Sequence, residues 1–287
     1  MIRIADVVHT YQRYGKSEED TITIQALDHV DMEVKVGQFI AIIGHNGSGK
    51  STLAKHLNAL LLPSEGTVWI DDMATNVTEN VGEIRKRVCM VFQNPDNQII
   101  GATVEEDIAF GLENMKIPTE RMQEKIDASL EAIHMTEKRS ANPGNLSGGQ
   151  KQKTAIAGAI AVEPKCLVLD EATAMLDPQA RKEVIEIAEE LNRTKGITII
   201  LITHHMDEVI HADKIFVMNQ GKVAASGTPQ EIFLQTDMLE KYHLEIPAIT
   251  RMAVEMVRQG IDLKLPVLTV EQLTNQICRY GGNSSAN

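Results

Sequence analysis

Apolar positions follow three different patterns along this 287-residue chain. The first part has the alternation of strands, so 1–11 predicts one strand and 22–38 predicts two further short strands, with a polar hairpin loop over 12–21 between them. Later apolar runs are continuous and of strand length, which is typical of strands buried on both faces. These runs lie at 39–44, 165–170 and 196–203.

Helical spacing dominates the middle of the chain. A helix is predicted from position 50 to about 61, helical patterns run over about 104–161, and 178–194 predicts a helix between the last two buried runs. A shorter strand is predicted at 67–72. The order is strand-rich, then helical, then alternating, and it predicts an α/β protein with a helical insertion in its core.

The last part of the chain has weaker patterns. A hairpin is predicted over 214–227, with its turn near Gln220 and Gly221. After Glu245, two amphipathic helices are predicted around a proline-containing link, and 281–287 is predicted to be a disordered tail.

These patterns predict one main domain and a small appendage. We expect the main domain to span 1–245, with the helical insertion at about 94–161. The C-terminal extension, 246–287, is expected to be a dimerisation element, although a regulatory role is an open alternative.

A glycine-rich turn follows the first buried run. It fits GxxxxGK[ST] at every fixed position, between a predicted strand and a predicted helix, and this context argues against a chance glycine-rich turn. Glycines let successive backbone N–H groups point at one phosphate, while the lysine and the next hydroxyl can reach phosphate and Mg²⁺. This phosphate loop, 44–52, comprises Gly44, His45, Asn46, Gly47, Ser48, Gly49, Lys50, Ser51 and Thr52.

Polar side chains follow the later buried runs. Asp170 stands at the exit of one run and Glu171 is next to it, so the pair could hold Mg²⁺ and polarise a water molecule. An acidic cap at a strand end is the alternative. His204 and His205 end the following run. A histidine at a strand tip could contact a terminal phosphate, but a lone histidine is more often structural.

A second glycine turn, LSGGQ at 146–150, opens another predicted helix. We call it the signature turn, because the spacing of all these motifs resembles that of the ABC-type ATPases over about 2–240. In this resemblance 44–51 matches Walker A, LVLDE matches Walker B, and LSGGQ matches the signature. The remaining matches are Gln93 to the Q-loop, Asp177 to the D-loop, His204 to the H-loop and Tyr11 to the aromatic that stacks on adenine.

The resemblance implies a P-loop NTPase fold of the ABC type, with a mixed sheet, an antiparallel β subdomain and a helical insertion. It also implies hydrolysis of ATP with Mg²⁺. Lys50 and the loop amides would hold phosphates, and Glu171 would polarise the attacking water. Ser51, Gln93 and Asp170 would organise Mg²⁺, and His204 would sense the γ-phosphate.

The resemblance also explains why one chain has two glycine turns. In this family two subunits pack head to tail, and the signature turn of one contacts the γ-phosphate bound by the other. The residues implied to face the partner's nucleotide are Ser147, Gly148, Gly149, Gln150 and Asp177. ATP would close such a dimer, and hydrolysis would reopen it.

Longer matches are similar to the energy-coupling factor transporters, which import vitamins and metal ions. They lie at 44–61, 91–114 and 264–273, and they look most like the first of the two ATPase subunits of that module. The resemblance implies that a membrane scaffold subunit docks at Asn94, Pro95, Asp96, Asn97 and Gln98. An ordinary polar turn is the alternative, because Asn-Pro and Asp-Asn favour turns.

The chain departs from the family in two places. Lys153 replaces an arginine that usually follows the signature, and Ala174-Met175 stand where a serine is common. Two rival classes also stay open. One is an ABC ATPase of DNA repair or translation, which usually has coiled-coil insertions or tandem cassettes. The other is an ATP-dependent clamp that does not hydrolyse, against which Glu171 argues.

Composition and charge limit the classes of partner that the chain is expected to bind. The formal net charge of −12 disfavours a nucleic acid partner. The three cysteines are far apart and form no CxxC, as expected of free thiols in a reducing cytosol. No run approaches 18 apolar residues and no signal peptide pattern opens the chain, so we expect it neither to span a membrane nor to leave the cytoplasm by the usual route. The resemblance implies a peripheral position at the cytoplasmic face of the cell membrane. The implied partners are a second ATPase subunit, which is a paralogue or an identical chain, the scaffold, and a membrane subunit that binds the transported substrate.

Overall fold

The computed structural model describes residues 1–13 and 22–284, with side chains described as far as Cys278. Ten strands are described: β1 Ile2–Arg13, β2 Ile22–Val34, β3 Phe39–Ile43, β4 Glu65–Ile70, β5 Met73–Ala74, β6 Val88–Val91, β7 Cys166–Asp170, β8 Thr198–Thr203, β9 Lys214–Asn219 and β10 Lys222–Gly227. The described helices are α1 Lys50–Leu57, α2 Val81–Arg87, α3 Val104–Asn114, α4 Thr119–Ala132, α5 Gly148–Ala161, α6 Pro178–Lys195, α7 Pro229–Phe233, α8 Thr236–Lys241, α9 Ala248–Arg258 and α10 Val270–Ser284.

The strands form two sheets. Six strands lie in the order β10-β9-β3-β8-β7-β6, in which β9, β3, β8, β7 and β6 run parallel and β10 is an antiparallel edge. The other four form an antiparallel sheet in the order β2-β1-β4-β5. The predicted mixed sheet and antiparallel β subdomain are therefore confirmed.

The parallel strands are buried on both faces because each face packs on a different layer. In β3, Ile40 and Ile42 face a cluster formed with α1 and the antiparallel sheet. Ala41 and Ile43 face the opposite cluster, which includes α3, α5 and α6. Successive side chains of a strand point to opposite faces, so a strand between two apolar layers must be apolar at every position. This is why the continuous runs predicted these strands.

Within the segment 22–38 the structure has one long strand, β2 Ile22–Val34, so the prediction of two short strands is wrong. The polar residues that interrupt the apolar pattern sit in a bulge of the β1–β2 ladder, where the pairing register shifts. Asp6 and His29 both have positive φ there, and the His29 Nδ1 and Asp6 Oδ1 atoms are 2.6 Å apart. A bulge accommodates the polar pair without ending the strand.

Three further predictions can be compared with the structure: the end of α1, the hairpin turn, and the set of elements between β5 and α3. Helix α1 ends at Leu57 rather than near 61, because Ala59 has a positive φ and the chain folds back so that the N–H groups of Leu60 and Leu61 donate to Lys55 O. The hairpin turn at Gln220 and Gly221 is confirmed, and both residues have positive φ, as a tight hairpin turn requires. The sequence patterns did not predict α2 and β6.

The helical middle and the C-terminal helices are also present. Helices α3, α4 and α5 occupy the predicted insertion, and their buried side chains join the core on one face of the six-stranded sheet. Helices α9 and α10 share a small separate cluster. The structure carries α10 to Ser284, into the predicted disordered tail, and 285–287 lie outside the described residues, as does 14–21 of the predicted polar loop. No helix within 1–13 and 22–284 is long and apolar enough to cross a bilayer.

Candidate active site

The sheet topology brings the separate sequence motifs to one edge. The phosphate loop follows β3, Glu171 follows β7, His204 follows β8, and Gln93 comes two residues after β6. These four strands are adjacent and parallel, so their carboxyl ends meet at the same edge. Ligands of open α/β sheets bind at this edge.

The backbone of the phosphate loop is enclosed by neighbouring strands. A Cβ at Gly44 would lie 2.4 Å from Met218 O, and one at Gly49, which has a φ of +102°, would lie 2.6 Å from Ala26 O. From the other side, Gly221 N donates to Ser48 O at 3.0 Å. Only glycine fits at these two positions, so the β9–β10 hairpin and β2 together hold the loop in shape.

Lys50 lies over the phosphate loop and next to the acidic pair. Its side chain is only 3% exposed, and its Nζ donates to Gly44 O at 2.8 Å and to His45 O at 3.1 Å. The same Nζ is 3.8 Å from Glu171 Oε1. Burial lowers the pKa of the Lys50 ammonium, and the charges of Glu171 and Asp170 oppose that change. A buried cation is thus placed where phosphates would approach the loop amides.

The two side chains expected to hold Mg²⁺ already touch. Ser51 Oγ donates to Asp170 Oδ1 at 2.9 Å. Burial raises the pKa of Asp170, and the hydrogen bond from Ser51 opposes the rise. Both groups offer hard oxygen ligands, the type that Mg²⁺ prefers, so the residues present fit this ion.

Glu171 has a backbone conformation that is uncommon for its residue type. Its φ is +52°, and its N–H donates to Ile202 O at 2.9 Å. A non-glycine residue in this region is strained, and such strain clusters at functional sites. The turn directs the chain out of β7 immediately after Asp170.

The remaining residues of this edge are more exposed. His45 Nε2 lies 3.1 Å from Asn219 Oδ1, while Asn46, Gly47, Gln93 and His204 are at the surface or close to it. The rings of His204 and His205 are 4.2 Å apart, and His205 is the more buried of the two. Burial, then the charge of Arg181, lowers the pKa of His205.

Tyr11 is held by Thr52 of the phosphate loop and by two histidines that the sequence patterns did not single out. Its hydroxyl is 3.2 Å from Thr52 Oγ1, and its ring meets the ring of His9 edge-on at 4.7 Å. His9 Nδ1 is 3.2 Å from Nε2 of the fully buried His56, whose Nδ1 is 2.7 Å from Thr52 O. The only signal available for His9 was its position two residues before Tyr11, on the same face of β1.

The signature turn begins α5 with a capping box. Gln150 N donates to Ser147 Oγ at 3.3 Å, and Ser147 N donates to Gln150 Oε1 at 3.1 Å. A Cβ at Gly149 would lie 2.6 Å from Ala180 Cβ in α6, whereas one at Gly148 would make ordinary contacts. Gly149 therefore allows α5 and α6 to approach closely, and Ser147 and Gly148 stay exposed.

Polar contacts between α5 and α6 continue behind the signature turn. Lys153 Nζ is 2.5 Å from Glu183 Oε2, so the lysine that replaces the usual arginine still forms an ion pair. Asp177 caps α6 by accepting from Gln179 N and Ala180 N, both at 3.0 Å. The structure therefore brings the signature turn and Asp177 together. In the described part of the chain, no hydrogen bond or ion pair joins 146–150 to 44–52.

The segment 94–98 is a turn that is held by hydrogen bonds of its own side chains, and it lies beside a groove. Asn94 Oδ1 accepts from Asp96 N, and the Gln98 side chain bonds to both Phe92 N and Phe92 O. Lys151 Nζ, near the start of α5, is 2.6 Å from Asp96 Oδ1. Pro95 is buried, and Asn97 is exposed. The side chain of Gln98 is used within the chain, so Asn97 is the more open of the two.

A groove of about 370 Å³ adjoins this turn. Ile100 and Phe110, both well exposed, form part of its lining, together with Leu60 and Met90. Exposed apolar side chains that share a groove are typical of a surface that binds another molecule.

Comparisons with known proteins show the family to which this chain belongs. The family model for ABC transporters matches residues 27–174. An energy-coupling factor transporter ATP-binding protein of Clostridium perfringens is 49% identical over 279 residues, which cover 97% of this chain and 98% of that protein. The solved structure of cbiO1 from the same organism, part of the ABC transporter complex cbiONQ, is 34% identical with a TM-score of 0.73, over 89% of this chain and 98% of that one. The ATP-binding cassette MJ0796, a dimer bound to ADP and Pi, is 28% identical with a TM-score of 0.70, over 80% of this chain and 99% of that one.

The fold, the edge of the sheet and these relatives define an ABC-type ATPase, which binds ATP with Mg²⁺ and hydrolyses it. Within that class, the chain belongs to the energy-coupling factor transporter ATP-binding proteins. The alternatives of an ATPase of DNA repair or translation and of a clamp without hydrolysis are therefore wrong.

Proposed function

We propose the following division of roles at the edge of the sheet. Lys50 and the amides of the phosphate loop hold the phosphates of ATP, and Glu171 polarises the attacking water. Ser51, Gln93 and Asp170 hold Mg²⁺, His204 contacts the γ-phosphate, and Tyr11 stacks on adenine. The observation that supports these roles most strongly is the contact of Lys50 with both the loop and Glu171, beside the Ser51–Asp170 pair.

Positioning and charge account for the chemistry. Phosphoryl transfer needs an in-line water and neutralisation of the charge on the phosphates, with little covalent participation by the protein. Bound Mg²⁺ supplies part of that neutralisation. The buried Lys50 ammonium supplies another part, and its low exposure strengthens its interaction with an anion. Glu171 is half-buried, and its Oε1 atom lies 3.8 Å from Lys50 Nζ, so its carboxylate oxygens are placed beside the phosphate loop, where they can accept a hydrogen bond from water.

Glu171→Gln tests the role of the general base. The amide keeps the size of the side chain but cannot take a proton, so we expect ATP binding to remain and hydrolysis to fall by about 10²- to 10⁴-fold. Single-turnover hydrolysis and equilibrium binding of ATP, measured on the same preparation, separate the two effects. Hydrolysis at the parental rate would contradict the assignment of Glu171.

A head-to-tail dimer is proposed to complete each nucleotide site. Ser147, Gly148, Gly149, Gln150 and Asp177 would face ATP bound to the phosphate loop of a second ATPase subunit. The exposure of Ser147 and Gly148, and the dimeric state of MJ0796, support this arrangement. We propose a paralogous ATPase as the second subunit, and an identical chain is the alternative. The solution mass of the purified chain with Mg-ATP, measured alone and after mixing with a co-purifying ATPase, distinguishes the two.

The turn 94–98 and its groove are proposed to dock a membrane scaffold subunit. The exposed apolar side chains of Ile100 and Phe110 support this role. The chain would then work at the cytoplasmic face of the membrane, and a separate membrane subunit would bind the imported vitamin or metal ion. Phe110→Ser should weaken capture by the scaffold while ATP binding is unchanged, with the exposed Leu234→Ser as a control. Undiminished capture would exclude this groove.

The C-terminal extension, 246–287, is proposed to be a dimerisation element appended to an ABC domain over 1–245, whose helical subdomain covers about 94–161. The separate apolar cluster of α9 and α10 supports the boundary, and the exposed Met252 and Val257 support a contact surface. Met252→Ser should lower the fraction of dimer that forms with Mg-ATP, measured by sedimentation. An unchanged dimer fraction would contradict this role.

A further inference from the structure

A buried carboxylate that takes no part in the proposed chemistry lies directly behind the candidate active site. The side chain of Glu208 is 2% exposed. Both of its oxygens lack a hydrogen bond of good geometry, although the hydroxyls of Thr203 and Thr173 are close enough to oppose the rise in its pKa that burial causes. A buried charge held this loosely is costly and calls for an explanation.

The nearest opposite charge belongs to α6. Arg181 Nε lies 3.6 Å from Glu208 Oε1, and that nitrogen is also buried without a hydrogen bond. Arg181 is in the first turn of α6, where its N–H donates to Asp177 O at 2.9 Å. The guanidinium therefore connects Glu208 to the turn that carries the D-loop aspartate.

The same residue also adjoins the segment after β8, which contains His204, and the segment after β7, which contains Glu171. Glu208 N donates to His205 O at 3.2 Å, so Glu208 belongs to the turn that follows His204. Thr203 ends β8 immediately before His204. Thr173 comes two residues after Glu171 and is buried. One carboxylate thus lies where the segments after β7, after β8 and before α6 meet.

We propose that the Glu208–Arg181 ion pair positions the D-loop and the H-loop relative to each other for ATP hydrolysis. Neither residue belongs to the motifs proposed to bind ATP, and Glu208 is buried, so we assign both as positioning residues. The pair acts through its neighbours. When it is broken, the segments that carry Asp177 and His204 can shift relative to each other. The segment that contains Thr173, next to Glu171, can shift as well. This inference rests on the proposed roles of Glu171 and His204.

The test compares this pair with an exposed pair on the same helix. Lys182 Nζ and Glu186 Oε1 are also 3.6 Å apart, but their side chains are 70% and 58% exposed. The variants are Glu208→Gln, Arg181→Met and their combination, with Glu186→Gln, Lys182→Met and their combination as matched controls. Steady-state ATP hydrolysis and thermal unfolding are measured on the full chain together with its co-purifying subunits.

We expect Glu208→Gln and Arg181→Met to lower kcat by about 10- to 100-fold with KM for ATP changed less than about twofold, because misplacing a catalytic group by about 1 Å has an effect of this size. Each single variant also leaves a buried charge without its partner, so the melting temperature falls. The double variant should regain melting temperature but not kcat. The control variants should change neither quantity.

Three results would overturn the proposal. They are a parental kcat in Glu208→Gln, a recovery of kcat with melting temperature in the double variant, and an equal loss in the control pair. If Glu208→Gln does not fold, Arg181→Lys provides the test, since it keeps the charge and loses the planar guanidinium. Arg181→Lys should then lower kcat at an unchanged melting temperature. Glu171→Gln measured in parallel keeps the two hypotheses apart, because a failure of the proposed general base appears there and not in the Glu208 variants.

Discussion

The two glycine turns of this chain are built in opposite ways. The phosphate loop is enclosed by strands of its own chain, with Ser48 and Lys50 buried. The signature turn is anchored only from behind, through Gly149 against α6, while Ser147 and Gly148 are open to solvent. The phosphate loop is therefore enclosed by its own chain. The signature turn is fixed at its back and open to solvent at its front, as its proposed contact with a second subunit requires.

The largest expected effect is on ATP binding by the isolated subunit, which should depend on the phosphate loop and not on the signature turn. Lys50→Met removes a buried cation that bonds to the loop, and the loss of a buried charge pair with the phosphates should weaken ATP binding by the isolated subunit about a hundredfold. Ser147→Arg, in the other turn, should leave binding by the isolated subunit unchanged. Titration calorimetry measures both, with the exposed Lys86→Met as a charge-matched control. Equal losses in the two turns would contradict the comparison.

Acid should destabilise the region behind the phosphate loop. Burial lowers the pKa of His56 from 6.5 to about 4. The unfolded chain takes up this proton near pH 6.5 and the folded chain only near pH 4, so the contribution of His56 to stability is lost as the pH falls through that window. The loss reaches about 3 kcal/mol at the acid end.

Chemical unfolding at several pH values measures this effect. His56→Gln should have a shallower loss of stability between pH 6.5 and 4 than the parent chain. The exposed His134→Gln should keep the parental slope. Parallel curves for the parent and His56→Gln would show that His56 titrates normally in the folded chain.

The glycine pair of the signature turn offers a matched comparison of stability. Gly149→Ala places a methyl group against Ala180, and overpacking of this kind costs about 1–3 kcal/mol. Gly148→Ala meets Leu176 only at an ordinary contact distance of 3.7 Å and should leave the free energy of unfolding unchanged or raise it. Urea denaturation measures both. If Gly148→Ala nevertheless slows hydrolysis in the assembled dimer, its role lies outside its own chain.

The smallest expected effect on stability comes from the helix cap. Ser147→Ala removes the capping hydroxyl of α5 and should lower the free energy of unfolding by about 1 kcal/mol. The same change in the D-loop cap, Asp177→Ala, should cost a similar amount. Hydrolysis by the dimer should fall much more than such a loss of stability explains. ATP hydrolysis at the parental rate in Ser147→Ala would show that the serine acts only as a helix cap.

Much of the phosphate loop and its surroundings was predictable from sequence, because its residues are set by local geometry. A continuous apolar run followed by GxxxxGK[ST] specifies a buried strand, a tight turn and a helix, and β3 and α1 flank the loop as expected. The early end of α1 was not predictable, since it depends on the positive φ of Ala59. The single strand β2 was not predictable either, because its bulge is held by a contact with Asp6 in another strand.

The surroundings of the signature turn depend on contacts that are distant in sequence. The motif predicted a turn and a helix, but not that Gly149 is required by Ala180, or that Lys153 pairs with Glu183. Gln98 shows a different, local limit: the resemblance placed it in a docking segment, whereas its side chain bonds to the backbone of Phe92, six residues earlier. Long-range packing leaves no periodic signal in a single sequence.

The most direct test of the account is the solution mass of Glu171→Gln, with and without Mg-ATP, alone and mixed with its co-purifying ATPase subunit. Light scattering on a sizing column should show a shift from monomer to dimer that needs Mg-ATP, and Ser147→Arg added to the same chain should abolish the shift while ATP still binds. A homodimer would identify an identical chain as the partner, and a dimer only in the mixture would identify a paralogue. ATP binding with no change of mass in either sample would contradict the claim that the signature turn completes the nucleotide site of another subunit.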